Sequence, residues 1–224
     1  MTETFGLKPS SDWVKLVKLP PTDQILEYIH SKWHEYAAKY SAIGPSFQHR
    51  DEPTLTKGLA AYLADQSEIG NQPFDGDFFG ELSHFDLKPD GTTQCTRRTD
   101  IEWRLYSAPC FIVEFKVLDG TSGKIKRYLD EGVHRFVDGR YSGSCGEAAM
   151  CAFLRKAGSD DAPVVETKIS TEAKQLDCHP PTGPHITKPS KLAPNVAEFD
   201  TAHSRRGPSV SPISLAHLFI ALPN

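Results

Sequence analysis

Two strand-like segments in the middle of the chain carry ionisable side chains among apolar ones. In the segment 111–117, which reads FIVEFKV, Glu114 and Lys116 are two residues apart and therefore lie on the same face of a strand. The preceding segment alternates between apolar and polar residues and carries Asp100 on its polar face. If the connection between the two segments is centred on Ser107, Asp100 faces Glu114 across an antiparallel pair.

The expected pair of carboxylates, Asp100 and Glu114, requires neutralisation, because facing acids on neighbouring strands repel each other. A hard divalent cation would neutralise them, and Mg²⁺, with Mn²⁺ as the alternative, keeps coordination positions for water and substrate. Lys116, beside them, could lower the pKa of a water molecule or stabilise negative charge that builds up on a phosphate. These residue types in this arrangement predict metal-assisted hydrolysis of a phosphodiester.

Hydrophobic periodicity predicts the elements that position these residues. Apolar residues recur at helical spacing over 22–41 and again after Pro53, and strict alternation then replaces the helical period. Turn signals at 88–91 and 106–109 separate three strands, and such short connections predict an antiparallel meander. The expected elements after the second helix are strands over 78–87, 93–105 and 109–118, a helix over 122–137, a buried strand over 148–154 and a closing strand within 213–224.

The 224 residues are predicted to form one α/β domain, since a second full-sized domain would need a longer chain. Its expected parts are an N-terminal helical segment (1–45), a catalytic core (46–156), an irregular excursion (157–212) and the closing strand (213–224). The excursion is proline-rich and shows little periodicity, with one short helix expected near 170–176. Long loops of this kind are usually functional or disordered.

Composition restricts the class of protein. The chain has 25 Lys and Arg against 29 Asp and Glu, a net charge of −4, which argues against a nucleic-acid coat protein bound by charge alone. Five cysteines without a CxxC pair predict reduced thiols rather than a disulfide framework or a zinc ribbon. The apolar runs are too short to span a bilayer and the N-terminus lacks the pattern of a secretory signal, so a cytoplasmic protein is expected.

Thr99-Asp100, thirteen intervening residues and Glu114-Phe115-Lys116 resemble the core motif of the PD-(D/E)XK nuclease superfamily. The resemblance implies a restriction-endonuclease-like core of the order αβββαβ, with a central mixed sheet of about five strands flanked by helices. It also implies that Asp100 and Glu114 hold Mg²⁺, that Lys116 assists the attacking water, and that Glu52 is a supporting metal ligand. Thr99 departs from the family, which has proline before the first acid.

The segment 132–141 also resembles a helix end found in defence-associated members of that superfamily, which implies a role in microbial defence. DNA is the expected substrate, recruited by a homodimer or a larger protein complex, because one acidic domain has little surface for sequence readout. Four basic residues near the expected site are candidate contacts to backbone phosphates, which position a strand without reading bases. They are Arg98, Lys124, Arg127 and Arg135.

Alternatives remain open at this level. An acid at a helix start commonly opposes the helix dipole, so Glu52 has a structural interpretation beside the catalytic one, and Glu81 or Glu102 could replace it. A solvated strand face with a cross-strand ion pair would explain the acids and the lysine without catalysis. A second alternative is a non-catalytic partner-binding module that keeps the nuclease-like fold and docks another protein through the acidic 51–90 surface or the excursion. The sequence leaves DNA against RNA, single against double strand and endonuclease against exonuclease undecided.

Overall fold

The computed structural model describes residues 19–87, 93–105, 108–141, 145–179, 185–206 and 211–223. The expected turns at 88–91 and 106–109 and the start of the N-terminal segment lie wholly or partly outside this range. The helices are α1 (Thr22–Tyr40), α2 (Glu52–Glu68), α3 (Ser122–Tyr128), α4 (His134–Val137) and α5 (Asp161–Thr171), with a 3-10 turn at Phe47–His49 and a π-helical segment (Leu129–Val133) between α3 and α4. The strands are β1 (Asp77–Leu87), β2 (Thr93–Leu105), β3 (Ala108–Leu118), β4 (Glu147–Leu154), β5 (Ile186–Thr187), β6 (Phe199–His203) and β7 (Ile213–Ala221).

The described strands form one mixed sheet of seven, in the order β1-β2-β3-β4-β7-β6-β5. Strands β1, β2 and β3 are antiparallel, as the short connections predict. Strand β4 runs parallel to β3, because α3, the π segment and α4 form a crossover connection that returns the chain to the same end of the sheet. Strand β4 is also parallel to β7. The protein is therefore an α/β protein with a mixed sheet.

The expectation of about five strands and an irregular excursion is wrong in part. The segment 157–212 contributes α5 at Asp161–Thr171, earlier than the helix expected near 170–176, and also β5 and β6. Strand β6 pairs antiparallel with β7, which places the closing strand inside the sheet. Strands β5 and β6 have two and five residues, which is too short for a periodic pattern to be recognised. The proline-rich, polar composition of the segment gave no strand signal either.

Helices cover both faces of the sheet. Odd-numbered residues of β3, such as Phe115 and Val117, pack with α1 and α2, whereas even-numbered ones, such as Ile112, pack with α3, the π segment and α5. Glu114 and Lys116 have the even parity and are buried with 0% and 4% of their surface exposed. Among the described helices none is long and apolar enough to cross a membrane.

A buried chain of hydrogen bonds links the last strands to α3. His203 Nδ1 lies 2.8 Å from the Leu176 carbonyl, Thr201 bridges His203 and His217, and Tyr128 bonds to His217 Nδ1 at 2.8 Å. Burial lowers the pKa of His203 to about 4 and that of His217 well below its usual value, so both histidines stay neutral. The Thr201 hydroxyl forms a hydrogen bond with each of them. This places His203 in the core. Among the described side chains, the thiols of Cys151 and Cys178 are free and buried.

Candidate functional site

The candidate site lies where β2 stops pairing with β3. The pairs Ile101↔Val113 and Trp103↔Phe111 have the register that a connection centred on residue 107 predicts, and a bulge follows at Arg104. Asp100 and Glu114 are the next residues beyond the Ile101↔Val113 pair, on the side away from the connection. On its other side, β2 remains paired with β1 around Asp100, through the pairs Gly80↔Ile101 and Leu82↔Thr99.

Two carboxylates take over the backbone amides of β3 beyond this point. Phe115 donates its N–H to Asp100 Oδ2 at 2.7 Å, and Val117 donates to Glu52 Oε2 at 3.1 Å. Buried backbone donors must be paired, so the acids substitute for the strand partner that β2 no longer provides. This pairing fixes Asp100 and Glu52 on the same edge of β3.

Glu52 reaches this edge because it is the first residue of α2. The helix starts there since the Asp51 side chain accepts from the Thr54 N–H at 2.9 Å and Pro53 occupies the first turn. The dipole interpretation of Glu52 is therefore insufficient, because its two oxygens bond to Lys116 and Val117, residues more than sixty positions away.

Lys116 lies among the three acids. Its ammonium donates to Glu114 Oε1 at 2.8 Å, to Glu52 Oε1 at 3.1 Å and to the Phe115 carbonyl at 2.7 Å, which uses all three of its protons. Burial lowers its pKa, but the acids, with Glu114 first among them, outweigh burial and raise it above the usual value. Lys116 is therefore a charged lysine in a fixed orientation.

Glu114 is held by three side chains. Besides Lys116, Arg135 donates to its Oε1 at 3.1 Å and Tyr141 donates from its hydroxyl to Oε2 at 2.7 Å. Arg135 also donates to the Tyr141 hydroxyl at 2.9 Å, so the two residues orient each other. Burial, followed by Glu114, raises the pKa of Tyr141, which keeps its hydroxyl protonated as a donor. The fully buried carboxylate thus accepts from three side chains and is fixed in orientation.

The surroundings of Asp100, unlike those of Lys116, disfavour the charged form of the side chain. Burial, and after it the charge of Glu114, raises its pKa to about 7, and the charge of Lys116 only partly compensates. The repulsion expected between Asp100 and Glu114 is therefore present in the structure. Because this carboxyl is easily protonated near neutral pH, a bound cation would favour its ionised form.

The π-helical segment brings the next helix close to these residues. A Cβ on Gly132 would lie 2.3 Å from the Met150 Cε and 3.1 Å from its Sδ, and 4.0 Å from the Cγ of Lys116. A side chain at this position would have to displace the flexible end of Met150, so glycine lets the segment pack closely against β4. Such π segments within helices are frequent at functional sites. Here the segment directly precedes α4, which carries Arg135.

The expected three-carboxylate metal site is only partly assembled. Within the described part of the chain, no group of three or more His, Cys, Asp or Glu side chains is placed to hold a metal ion. Lys116 binds Glu52 and Glu114, so Glu52 is a partner of the lysine here. The donor chemistry of Asp100 and Glu114 nevertheless fits a hard cation, since both are carboxylates and Asp100 carries an unfavourable charge.

The four candidate phosphate contacts separate into two groups. Arg135 belongs to the site itself through Glu114, whereas the side chains of Arg98 and Arg127 pair with acids outside it. Arg98 pairs with Glu81 at 2.7 Å, and Arg127 pairs with Glu131 one helical turn away at 3.0 Å. Lys124 is partly exposed near the start of α3.

The two alternative acids have other partners. Glu81, whose φ is 47°, pairs with Lys57 at 3.1 Å as well as with Arg98. Glu102 is fully buried and accepts hydrogen bonds from Thr99 at 2.5 Å and from Arg104 at 2.7 Å. Of the three candidates for the upstream acid, Glu52 is the one that binds Lys116.

Tyr141 is the site residue that the sequence analysis did not single out by itself. It lies four residues after α4, inside the segment 132–141 noted for its resemblance to defence-associated nucleases, but no period marks it as buried. It is 1% exposed and packs edge to face on Phe136, with ring centroids 4.8 Å apart. Only the fold of the helix end brings it to Glu114.

Replacing Tyr141 with phenylalanine is expected to lower the free energy of unfolding by about 1–3 kcal/mol, the usual cost of leaving a buried hydrogen-bond partner unsatisfied. Urea denaturation measures the effect. Tyr62→Phe is the matched control, because the Tyr62 hydroxyl bonds to Glu35 at 3.4 Å in an exposed position, and it should change stability by less than about 0.5 kcal/mol. Equal effects in the two variants would show that the Tyr141 hydroxyl does not support Glu114.

Comparisons of the chain with protein-family models, with curated proteins and with solved structures found no match.

Proposed function

We propose that this protein is a metal-dependent nuclease that hydrolyses phosphodiester bonds of DNA, with a restriction-endonuclease-like core. The observation that carries the proposal is the convergence of Asp100, Glu114, Glu52 and Lys116 at the edge of β3 where β2 stops pairing. The order α2-β1-β2-β3-α3-β4 agrees with the αβββαβ order of that core. The motif from Thr99-Asp100 to Lys116 adds the resemblance to PD-(D/E)XK nucleases.

In the proposed reaction Asp100 and Glu114 would hold Mg²⁺, or Mn²⁺ in its place. Bound there, the ion supplies a Lewis acid that offsets negative charge on the phosphate and acidifies a water molecule. Asp100 must be ionised for this role, which its pKa of about 7 allows at neutral pH and above. Arg135 and Tyr141 keep the Glu114 carboxylate in one orientation.

Lys116 provides the fixed positive charge. Glu52 and the Phe115 carbonyl hold its ammonium at the edge of β3, so no reorganisation is needed when negative charge builds up on the phosphoryl oxygens. Arg98, Lys124 and Arg127 are proposed to contact backbone phosphates on either side. Arg98 and Arg127 already pair with acids, which predicts weak binding to DNA by this chain alone and supports delivery by a second copy or a larger complex.

The test is cleavage of supercoiled plasmid, single-stranded DNA and RNA by purified protein with Mg²⁺ or Mn²⁺. Wild-type protein is expected to cleave at least one of the DNA substrates, and Glu114→Gln to reduce the rate by about 10²-fold or more. Glu166→Gln is the matched control, since Glu166 is a partly exposed acid on α5 that pairs with Lys188 at 2.7 Å, and it should keep wild-type activity. Equal cleavage by wild type and Glu114→Gln, or no cleavage of any substrate with either ion, would overturn the proposal.

The alternative proposal is a non-catalytic module that docks a partner protein. One observation favours it: the described residues include no cluster of three metal-ligating side chains, and the ammonium of Lys116 is saturated by protein acceptors. Calorimetry with Mg²⁺ and Mn²⁺ separates the two proposals. The nuclease predicts binding that Asp100→Asn abolishes, whereas the module predicts the same heat signal in both proteins.

A further inference from the structure

Two histidines one turn apart on α1 place the same ring atom of each close together. The Nε2 atoms of His30 and His34 are 3.3 Å apart, and their rings meet edge to face with centroids separated by 4.5 Å. Residues at positions i and i+4 share one face of a helix, and histidine pairs at this spacing are able to bind zinc. The pair lies on a different element from Asp100, Glu114 and Lys116.

The separation of the two nitrogens matches that of two ligands on one metal ion. Zinc binds imidazole nitrogen at about 2.0–2.1 Å with tetrahedral angles, so two such ligands stand about 3.3 Å apart. In α1 the backbone fixes the spacing of the two Cβ atoms, because His30 and His34 lie well inside a helix of 19 residues, and the side-chain rotamers observed bring the two Nε2 atoms to this distance. An ion would therefore find both nitrogens already placed.

Protonation also suits ligand binding. Burial, and then the proximity of His34, lowers the pKa of His30, which leaves this ring neutral at pH 7. In a neutral imidazole one ring nitrogen carries the proton, so a hydrogen bond between the two Nε2 atoms at 3.3 Å requires a proton on one of them. On metal binding that proton moves to Nδ1 of the same ring through solvent, so both Nε2 lone pairs become available without a net change of charge.

The surroundings leave the pair accessible. His34 is exposed, and His30 lines an open groove of about 560 Å³ together with Lys188, Asn195 and Glu198. The ammonium of Lys32, on the same helix, is paired with Glu35 at 2.8 Å, so its charge is offset. Two imidazoles occupy two positions of a tetrahedral ion, and water would fill the others.

We propose that His30 and His34 form a second metal site, specific for first-row transition ions that prefer imidazole, namely Zn²⁺, Ni²⁺ and Cu²⁺. It is chemically distinct from the site at Asp100 and Glu114, because imidazole selects these ions whereas carboxylates select Mg²⁺ and Mn²⁺. The site is independent of the nuclease proposal and stands whether or not the chain cleaves DNA.

Calorimetric titration of the full-length protein with NiCl₂ and CuCl₂ tests the site. One ion should bind per chain, with Cu²⁺ tighter than Ni²⁺, and His34→Ala should weaken binding about tenfold or more because the second ligand is lost. His49→Ala removes another exposed histidine and should leave the affinity unchanged. No binding to wild type, or equal affinity for wild type and His34→Ala, would overturn the proposal.

A composition-matched variant distinguishes a chelating pair from two independent histidines. Ser31→His combined with His34→Ala keeps two histidines on α1 but places them at adjacent positions, which point in different directions around the helix. This variant is expected to bind Ni²⁺ as weakly as His34→Ala, and wild-type affinity in it would contradict chelation. In melting experiments Ni²⁺ should raise the Tm of wild type and not that of either variant, since an ion bound only to the native helix stabilises it.

The two proposed metal sites can be tested separately. Asp100→Asn should keep Ni²⁺ binding at wild-type affinity, and His34→Ala should keep its response to Mg²⁺. Loss of Ni²⁺ binding in Asp100→Asn would assign the heat signal to the acidic site and overturn the histidine site.

Discussion

Lys116→Met is expected to abolish most of the proposed nuclease activity and to lower stability at the same time. The ammonium is the fixed positive charge of the proposed site, and loss of one such group costs about 10²–10³-fold in rate. Its removal also breaks a buried contact with Glu114 and Glu52. Because Arg135 and Tyr141 still hold Glu114, the expected loss is about 3 kcal/mol, the low end for breaking a buried ion pair.

Two measurements separate these effects of Lys116→Met. Urea denaturation gives the free energy of unfolding, and plasmid cleavage is then compared under conditions where both proteins are folded. Lys126→Met is the matched control, since Lys126 is an exposed lysine paired with Asp130 on the neighbouring helix, and it should alter stability by less than about 0.5 kcal/mol. A fully active Lys116→Met would remove the lysine from the proposed mechanism, and an unchanged stability would contradict the buried ion pair.

Asp100→Asn is expected to stabilise the metal-free protein, and to do so more strongly as the pH rises. The pKa of Asp100 is raised to about 7 in the folded protein, mainly by burial and then by Glu114. Between about pH 4 and 7 the native carboxyl keeps a proton that the unfolded chain has released, so the wild type loses stability as the pH rises through this range. The shift corresponds to at most about 4 kcal/mol, and asparagine removes it while still accepting from the Phe115 amide.

Thermal and urea denaturation between pH 4.5 and 8 in EDTA measure this difference. The gain of Asp100→Asn over wild type should be small at pH 4.5 and largest at pH 8. Asp119→Asn is the matched control with the opposite sign, because the Thr121 hydroxyl lowers the pKa of Asp119 and asparagine should not stabilise the protein at pH 8. A gain independent of pH, or a loss at pH 8, would show that Asp100 is not destabilised by burial and by Glu114.

Mg²⁺ links the Asp100 prediction to the proposed function. If Asp100 is a ligand, Mg²⁺ binds the native wild type and stabilises it by mass action. The ion should bind Asp100→Asn weakly and therefore stabilise that variant little. The difference between the two proteins at pH 8 should then shrink as Mg²⁺ is added. A difference unaffected by Mg²⁺ would favour the non-catalytic module.

The arrangement of Asp100 and Glu114 could be predicted because it depends on local information. Alternation with a period of two assigns the face of each residue, and a short connection fixes the register, which the pairs Ile101↔Val113 and Trp103↔Phe111 confirm. The repulsion between the two acids then follows from their positions. The same reasoning correctly placed Lys116 beside Glu114, in contact at 2.8 Å.

The outer strands could not be predicted in the same way. Strands β5 and β6 are too short for a periodic pattern; β6 is held by pairing with β7, and β5 by pairing with β6. A strand of two to five residues forms because a neighbouring strand supplies its hydrogen bonds, and the sequence of the strand itself contains little of that information. The proline-rich composition of 157–212 therefore suggested an irregular segment where the fold continues the sheet.

By itself the sequence determined an α/β protein with an antiparallel β1–β2–β3 unit and with Asp100, Glu114 and Lys116 at one place on it. Tertiary structure alone decided that Glu52 binds Lys116 from 64 positions away, and that Arg135 and Tyr141 fix the orientation of Glu114. The reason is physical: strand period and turn length act over a few residues, whereas the partners of a buried charge are chosen by how helices pack on the sheet. Desolvation of Asp100 likewise arises only when that packing is complete.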